Sequence, residues 1–189
     1  MKNLKLINLN NKTENNKKLI LQGLLNKKQK YILPKFFYDE KGSKLFNKIT
    51  NLREYYPTKK ELEILENLKK KLKKKLPSSS TIVEFGSGSN KKINKFIKSL
   101  DRPKEYIPID ISKEYLFKNA SSIAKKFTNL KVTAICADFN QAQKLNKILK
   151  DKKQIISFFP GSTIGNYLPK NAKKLLKNFS KIIGKNSYL

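Results

Sequence analysis

Four apolar stretches separated by segments of helical period constrain this chain most. They are TIVEF (81–85), EYIPID (105–110), KVTAICAD (131–138) and QIISFF (154–159). Between and after them, residues 91–100, 112–127, 141–150 and 170–183 read as helices. The first of these puts Ile93, Phe96, Ile97 and Leu100 on one face, the spacing of a helix packed on a sheet. Alternation of this length predicts an α/β fold, a mostly parallel sheet with flanking crossover helices. The closing residues KNSYL (185–189) read as the start of a fifth strand. A sheet stopping there has a raw edge, so the expectation is a sheet incomplete at its C-terminal side, in a truncated or fragmentary chain.

The first 77 residues read differently. Residues 1–17 are Lys/Asn-rich and unpatterned, which predicts a flexible basic arm. Residues 18–77 form a helical and aromatic cap segment, with a short helix at 18–30. The stretch 33–65 is rich in aromatics and broken by Pro34, Gly42 and Pro57. Ser43 to Thr50 reads as a helix with Leu45, Phe46 and Ile49 turned inward. Thr58 to Glu61 (TKKE) reads as a capping box opening a helix that runs to about Leu76 and stops at the turn cluster PSSS. Residues 78–189 then hold the partial α/β domain with its four strands.

The chain has 43 basic residues against 14 acidic ones, a net charge of +29. Only Arg53 and Arg102 are arginine, whereas proteins built to grip phosphate use the arginine fork freely. The abundance of Lys, Asn and Ile reads as A/T-rich codon usage, and KKKLKKK (69–75) as a solvated helix face. No specific nucleic-acid partner is expected. No run approaches the 18 apolar residues of a membrane span, and no secretory leader is visible. The one cysteine, Cys136, excludes an internal disulfide and suits a reducing cytoplasm. With no histidine in the chain, a Cys/His metal cluster and a His-activated thiol are both excluded, and Cys136 reads as a small buried hydrophobe.

The chemistry collects where the strands end. The first strand runs into VEFGSGSNKK (83–92), where Gly86 and Gly88 permit a tight turn and close approach of a ligand. Lys91 stands where a dinucleotide fingerprint has its third glycine, which argues against a pyrophosphate ligand. Glu84 serves either to satisfy the loop or to orient a ligand's charged group. The second strand ends at Asp110, a carboxylate suited to both hydroxyls of a ribose. The third ends at Asp138-Phe139, an acceptor for an adenine amino group beside a ring to cover it. The fourth empties into FFPGSTIGN (158–166), small residues followed by an amide. Each acidic residue alone serves equally well in a turn or cap. Together, at successive strand tips, they fit a nucleoside with a small charged tail, S-adenosylmethionine.

The glycine loop and the two aspartates resemble a class I, Rossmann-like methyltransferase. Three longer stretches are more specific: PKFFYDEKGSKLFNKITNLREYYPTKKELEIL, VEFGSGSNKK with YIPIDIS, and FFPGSTIGNYLP. In order and spacing they resemble the histidine-specific N-alpha-methyltransferase family of ergothioneine biosynthesis, over about residues 33–180. That resemblance implies cofactor contacts at Gly86, Lys92, Asp110, Asp138 and Phe139. It implies an amino-acid site at Gly161 and Asn166, with Tyr38 and Tyr55 closing the pocket and Tyr56 the competing choice for Tyr55. Ser162 and Thr163 either add hydroxyl contacts or build the turn. The implied reaction takes L-histidine to its trimethyl betaine, hercynine, on a monomer, with no catalytic acid–base residue and no metal assigned. The alternatives are another small amino acid or amine as substrate, or an inactive fragment. Pro160 departs from the family pattern. The portion that would recognise the imidazole lies beyond residue 189, so histidine specificity is carried by the resemblance and by no residue of this chain.

Overall fold

The strands form where runs of Ile, Val, Phe and Tyr can be buried on both faces. In the computed structural model, which describes residues 1–9, 16–37, 39–139 and 142–189, the strands are β1 (Leu4–Asn8), β2 (Thr81–Phe85), β3 (Glu105–Asp110), β4 (Lys131–Cys136) and β5 (Ile155–Phe158). The helices are α1 (Asn16–Leu24), α2 (Glu40–Ile49), α3 (Pro57–Lys75), α4 (Asn90–Lys98), α5 (Lys113–Lys126), α6 (Ala142–Leu149) and α7 (Pro169–Ile183). All five strands pair in parallel, in the order β1-β4-β3-β2-β5. The expected α/β architecture with a parallel sheet and flanking helices is therefore the one observed.

Alternate residues of each strand enter opposite layers, as a period of two requires. Ile82, Tyr106, Val132, Ala134 and Ile156 pack with Ile93, Phe96 and Ile97 of α4, Leu116, Ala120 and Ile123 of α5, and Leu65 of α3. Val83, Phe85, Ile107, Ile109, Ile135 and Ile155 pack with Leu145 and Leu149 of α6 and Leu175, Phe179 and Ile182 of α7. Chain order reverses direction at β2, which has β3 on one side and β5 on the other. Ligands of open parallel sheets bind outside the strand C-termini at such a reversal.

Three expectations are corrected. The N-terminal segment is not loose over Leu4–Asn8: it adds a parallel edge strand to β4, in register from Leu4 opposite Val132 to Asn8 opposite Cys136. Leu4 and Ile7 pack against opposite core layers, and the Asn3 amide donates to the carbonyls of Ala124 and Leu130 at 3.0 Å. The sheet thus has five strands, one contributed from outside 78–189. Secondly, Thr58 does not cap α3. The helix starts at Pro57, whose missing N–H and fixed φ suit a first helical turn. Thr58 lies buried one residue inside it. Thirdly, α2 begins at Glu40, capped by the Asp39 carboxylate accepting from Gly42 N–H at 2.7 Å. Its inward residues include Ser43, while Leu45 and Ile49 are exposed.

At the far side of β5, Ser157 N–H donates to Tyr188 O at 2.7 Å and Tyr188 N–H donates to Ile155 O at 3.0 Å. Residues expected to open a further parallel strand thus make one parallel bridge. Among the described residues, no helix is long and apolar enough to cross a membrane, and the buried Cys136 thiol donates to Ile111 O at 3.6 Å.

Candidate functional site

A cleft of about 380 Å³ opens at the C-terminal ends of the strands. Its floor begins where β2 turns into the glycine loop. Gly86 adopts φ +74, a left-handed conformation that L side chains rarely take, and a Cβ there would meet no atom within 4 Å. The space beside its backbone is open for a ligand. The loop is held from below: Gly86 and Ser87 N–H both donate to Ile109 O, at 2.9 and 3.2 Å. The Asn119 amide donates to Gly88 O at 2.9 Å.

Beneath the loop lies a buried polar cluster. The Tyr106 hydroxyl donates a short hydrogen bond to Glu84 Oε2 and lies 3.3 Å from Ser87 Oγ. Glu84, Ser87 and Tyr106 are all buried. Desolvation raises the Glu84 carboxyl from 4.5 to about 7; bonds from Tyr106 and Ser87 oppose the rise, the nearby Asp110 charge adds to it, and Lys92 opposes it. The same burial drives the Tyr106 phenol well above its ordinary 10.0.

The two predicted aspartates both line the cleft, as does Phe139, which also packs against the core. Asp110 Oδ1 accepts Ser112 N–H at 2.8 Å, which fixes the carboxylate's orientation. Burial raises its carboxyl from 3.8 to about 6, against the pull of the Ser112 and Ile111 N–H groups. Above that pH it is an acceptor only, as a pair of hydroxyl donors requires. Phe139 meets Phe85, Phe159 and Phe179 edge-on, at centroid distances of 6.4, 6.3 and 5.5 Å. A rigid aromatic stack thereby backs this wall of the cleft.

The opposite wall is the loop after β5. Gly161 (φ +88) and Ser162 (φ +56) are consecutive left-handed residues. Gly161 can adopt this geometry freely, whereas Ser162 is strained there. Gly165 N–H closes the turn on Ser162 O at 2.9 Å, and Thr163 Oγ1 donates to Pro160 O at 3.2 Å. The turn role of Thr163 is thus observed, although the residue also lines the cleft beside Gly161 and Asn166. Lys92, from the first turn of α4, completes this corner. Its ammonium pairs closely with Glu61 of α3, and Glu61 Oε1 accepts Gly161 N–H at 2.7 Å.

Helix α2 and the preceding segment cover the cleft through Leu33, Pro34, Phe46 and Asn47. Asn47 Nδ2 donates to the Tyr115 hydroxyl at 2.8 Å, tying the cover to α5. Of the expected site residues, Gly86, Lys92, Asp110, Asp138, Phe139, Gly161 and Asn166 all line this one cleft. Tyr38 lies outside the described residues. Tyr55 is not among the lining residues; its ring meets the lining Phe46 edge-on at 5.8 Å. Its rival Tyr56 is exposed at the mouth of α3, because Pro57 starts the helix immediately after it. Asn47, Tyr115, Tyr167 and the Glu61 contacts were not anticipated. Tyr167 directly follows Asn166 and could have been read from that adjacency, whereas Asn47 and Tyr115 meet only through the tertiary fold.

Comparison with known proteins finds a matching family and named relatives. A family profile described as histidine-specific methyltransferase, SAM-dependent, matches residues 16–189. The chain is 34% identical over 148 residues to a histidine N-alpha-methyltransferase of Mycobacterium tuberculosis, covering 77% of this chain and 45% of that protein. It is 30% identical over 153 residues to ergothioneine biosynthesis protein 1 of Neurospora crassa, covering 79% of this chain and 17% of that protein. A 4-dimethylallyltryptophan N-methyltransferase of Aspergillus fumigatus is 27% identical over 169 residues, 85% of this chain and 49% of that protein. The chain thus spans less than half the length of these curated relatives.

Proposed function

We propose a function from one premise: the chain belongs to the SAM-dependent, histidine-specific methyltransferase family. Its cleft binds S-adenosylmethionine beside the headgroup of a free amino acid, and the reaction is methylation of the alpha-amino nitrogen. L-Histidine is the substrate, carried to its trimethyl betaine. What carries the reading is that Gly86, Asp110, Asp138 and Asn166, from the ends of four adjacent strands, border a single cleft.

The residues fit the cofactor. Gly86 and Gly88 leave open space where a side chain would stand, so the ligand's tail can lie against the backbone. Asp110 presents a carboxylate to the ribose hydroxyls, and Asp138 accepts from the adenine amino group against the wall formed by Phe139. Lys92 supplies positive charge for the tail carboxylate. When bound, the cofactor supplies an electrophilic methyl on a sulfonium centre. The chain's own part is placement. Asn166 offers both a donor and an acceptor to the amino-acid headgroup, and the small residues of the β5 loop let that headgroup approach. The amine must arrive unprotonated, so that its lone pair is available to take the methyl group that the bound cofactor would supply. Holding the two in line is the chain's contribution to the rate, since well-oriented pairs gain roughly 7–11 kcal/mol. The cover from α2 and the segment before it excludes water.

Incubating the chain with S-adenosylmethionine and each free amino acid, then counting added methyl groups by mass spectrometry, tests the proposal. Mono-, di- and trimethylhistidine, with one S-adenosylhomocysteine formed per methyl, is the expected result. Methylation of a different amino acid in preference to histidine would replace the substrate assignment. A chain that binds S-adenosylhomocysteine yet methylates none of them would overturn the reaction.

A further inference from the structure

Glu61 has two oxygens, and each is used on a different side of the cleft. One takes the ammonium of Lys92, on the cofactor side; the other accepts the N–H of Gly161, on the amino-acid side, at 2.7 Å. Lys92 Nζ also lies 3.6 Å from the point where a Cβ on Gly161 would stand, so the three residues meet at one corner. Glu61 itself belongs to α3, outside both the glycine loop and the β5 loop. The loop it holds needs holding: Pro160 offers no N–H, and two left-handed residues follow it.

We propose that Glu61 is a positioning residue that fixes the substrate-side loop through Gly161 and parks the cofactor-side lysine at the same corner until a ligand carboxylate displaces it, and so sets the amino-acid side of the cleft in its binding shape before either ligand arrives. The proposal rests on the methyltransferase reading for its ligands, though not for the lock itself. Lys92 is held by a carboxylate that an incoming ligand carboxylate can displace, while the Gly161 bond to the other oxygen keeps the loop in place. A neighbouring pair supplies the control. Glu66 and Lys95, further along α3 and α4, pair at 2.5 Å with side chains 56% and 38% exposed. Exposed pairs of this kind contribute little.

The test compares wild type, Glu61→Ala, Glu61→Gln and Glu66→Gln as full chains. The first arm is amide hydrogen exchange without ligand. Glu61→Ala should speed exchange at Gly161 by about tenfold or more, the scale of a lost hydrogen bond to a charged group, with β2 and β3 unchanged. Glu61→Gln retains an acceptor and should restore protection. The second arm titrates S-adenosylhomocysteine, then L-histidine, by calorimetry. Glu61→Ala should weaken histidine by about tenfold or more; Glu61→Gln should keep histidine affinity and bind S-adenosylhomocysteine at least as tightly as wild type, because Lys92 has lost its competing carboxylate. Glu66→Gln should match wild type throughout. Equal Gly161 exchange in Glu61→Ala and wild type, or equal losses in Glu61→Gln and Glu61→Ala, would overturn the lock. A wild-type chain that binds neither ligand would defeat the methyltransferase reading, and the exchange arm would still decide the role of Glu61.

Discussion

Replacing Glu84 by glutamine removes a buried carboxyl without removing its acceptor oxygen, and the consequence can be worked from the structure. Burial places the Glu84 carboxyl at about 7 in the folded chain, against 4.5 for the ordinary group. Between those two values the folded chain keeps a proton that the unfolded chain has released. Stability therefore falls as pH rises through this window, and the full penalty is present above pH 7. The interval corresponds to roughly 3 kcal/mol at about 1.4 kcal/mol per pH unit, a large share of the roughly 5–15 kcal/mol that holds a domain folded. Asp110, raised from 3.8 to about 6, adds a slope of the same sign at lower pH. Glu84→Gln still accepts the Tyr106 hydroxyl bond but has nothing to ionise. Urea unfolding of both proteins at intervals from pH 5 to pH 8 is the assay. The variant should lie within about 1 kcal/mol of wild type at pH 5, just inside the window, and exceed it by up to roughly 3 kcal/mol at pH 8, with the Asp110 slope remaining. Parallel stability curves across the whole range would refute the buried-carboxylate reasoning.

Asn166→Ala should weaken L-histidine by about tenfold or more, as when a polar headgroup loses its partner, and leave S-adenosylhomocysteine nearly unchanged; equal losses of both would contradict its assignment. Glu105 sits buried at the start of β3, accepting from Thr133 Oγ1 at 2.7 Å and pairing with Lys152 at 2.5 Å. Burial opposes its ionisation, but the bonds from Lys152 and Thr133 outweigh it and hold its carboxyl below the usual range. Its contribution is therefore present above the ordinary carboxylate value and fades as pH falls below it, so Glu105→Gln should cost about 1–3 kcal/mol at pH 7 and progressively less in acid, read by denaturant unfolding. Deleting residues 1–8 should expose the β4 edge and raise the aggregated fraction in sedimentation; an unchanged profile would make β1 dispensable.

How much of this was legible depended on how local the signal was. β2 to β5 were visible because each is a short apolar run buried on both faces, and the strand-tip aspartates followed from where those runs stopped. β1 was obscured by its setting. LKLIN is an edge strand with only Leu4 and Ile7 packed, embedded in Lys and Asn, so the burial that stabilises it comes from β4 and α5 more than 100 residues away. Glu61 was visible only as the last letter of a capping box. Its partners lie 31 and 100 residues along the chain, and no spacing rule connects them. Thr58 failed as a cap because Pro57 is already pre-set for the first helical turn. Leu45 and Ile49 fit a helical face by period, yet α2 turns Phe46, Asn47 and Ser43 to the cleft. Period alone locates a face without saying whether protein or ligand lies opposite it.

The central claim is that the strand tips form one adenosyl-binding cleft, and calorimetric titration of S-adenosylhomocysteine into wild type and Asp110→Ala tests it most directly. Saturable binding of one ligand per chain, weakened by about 1–3 kcal/mol in the variant, is the predicted result. No binding to the wild-type chain, or equal affinity in both, would contradict it.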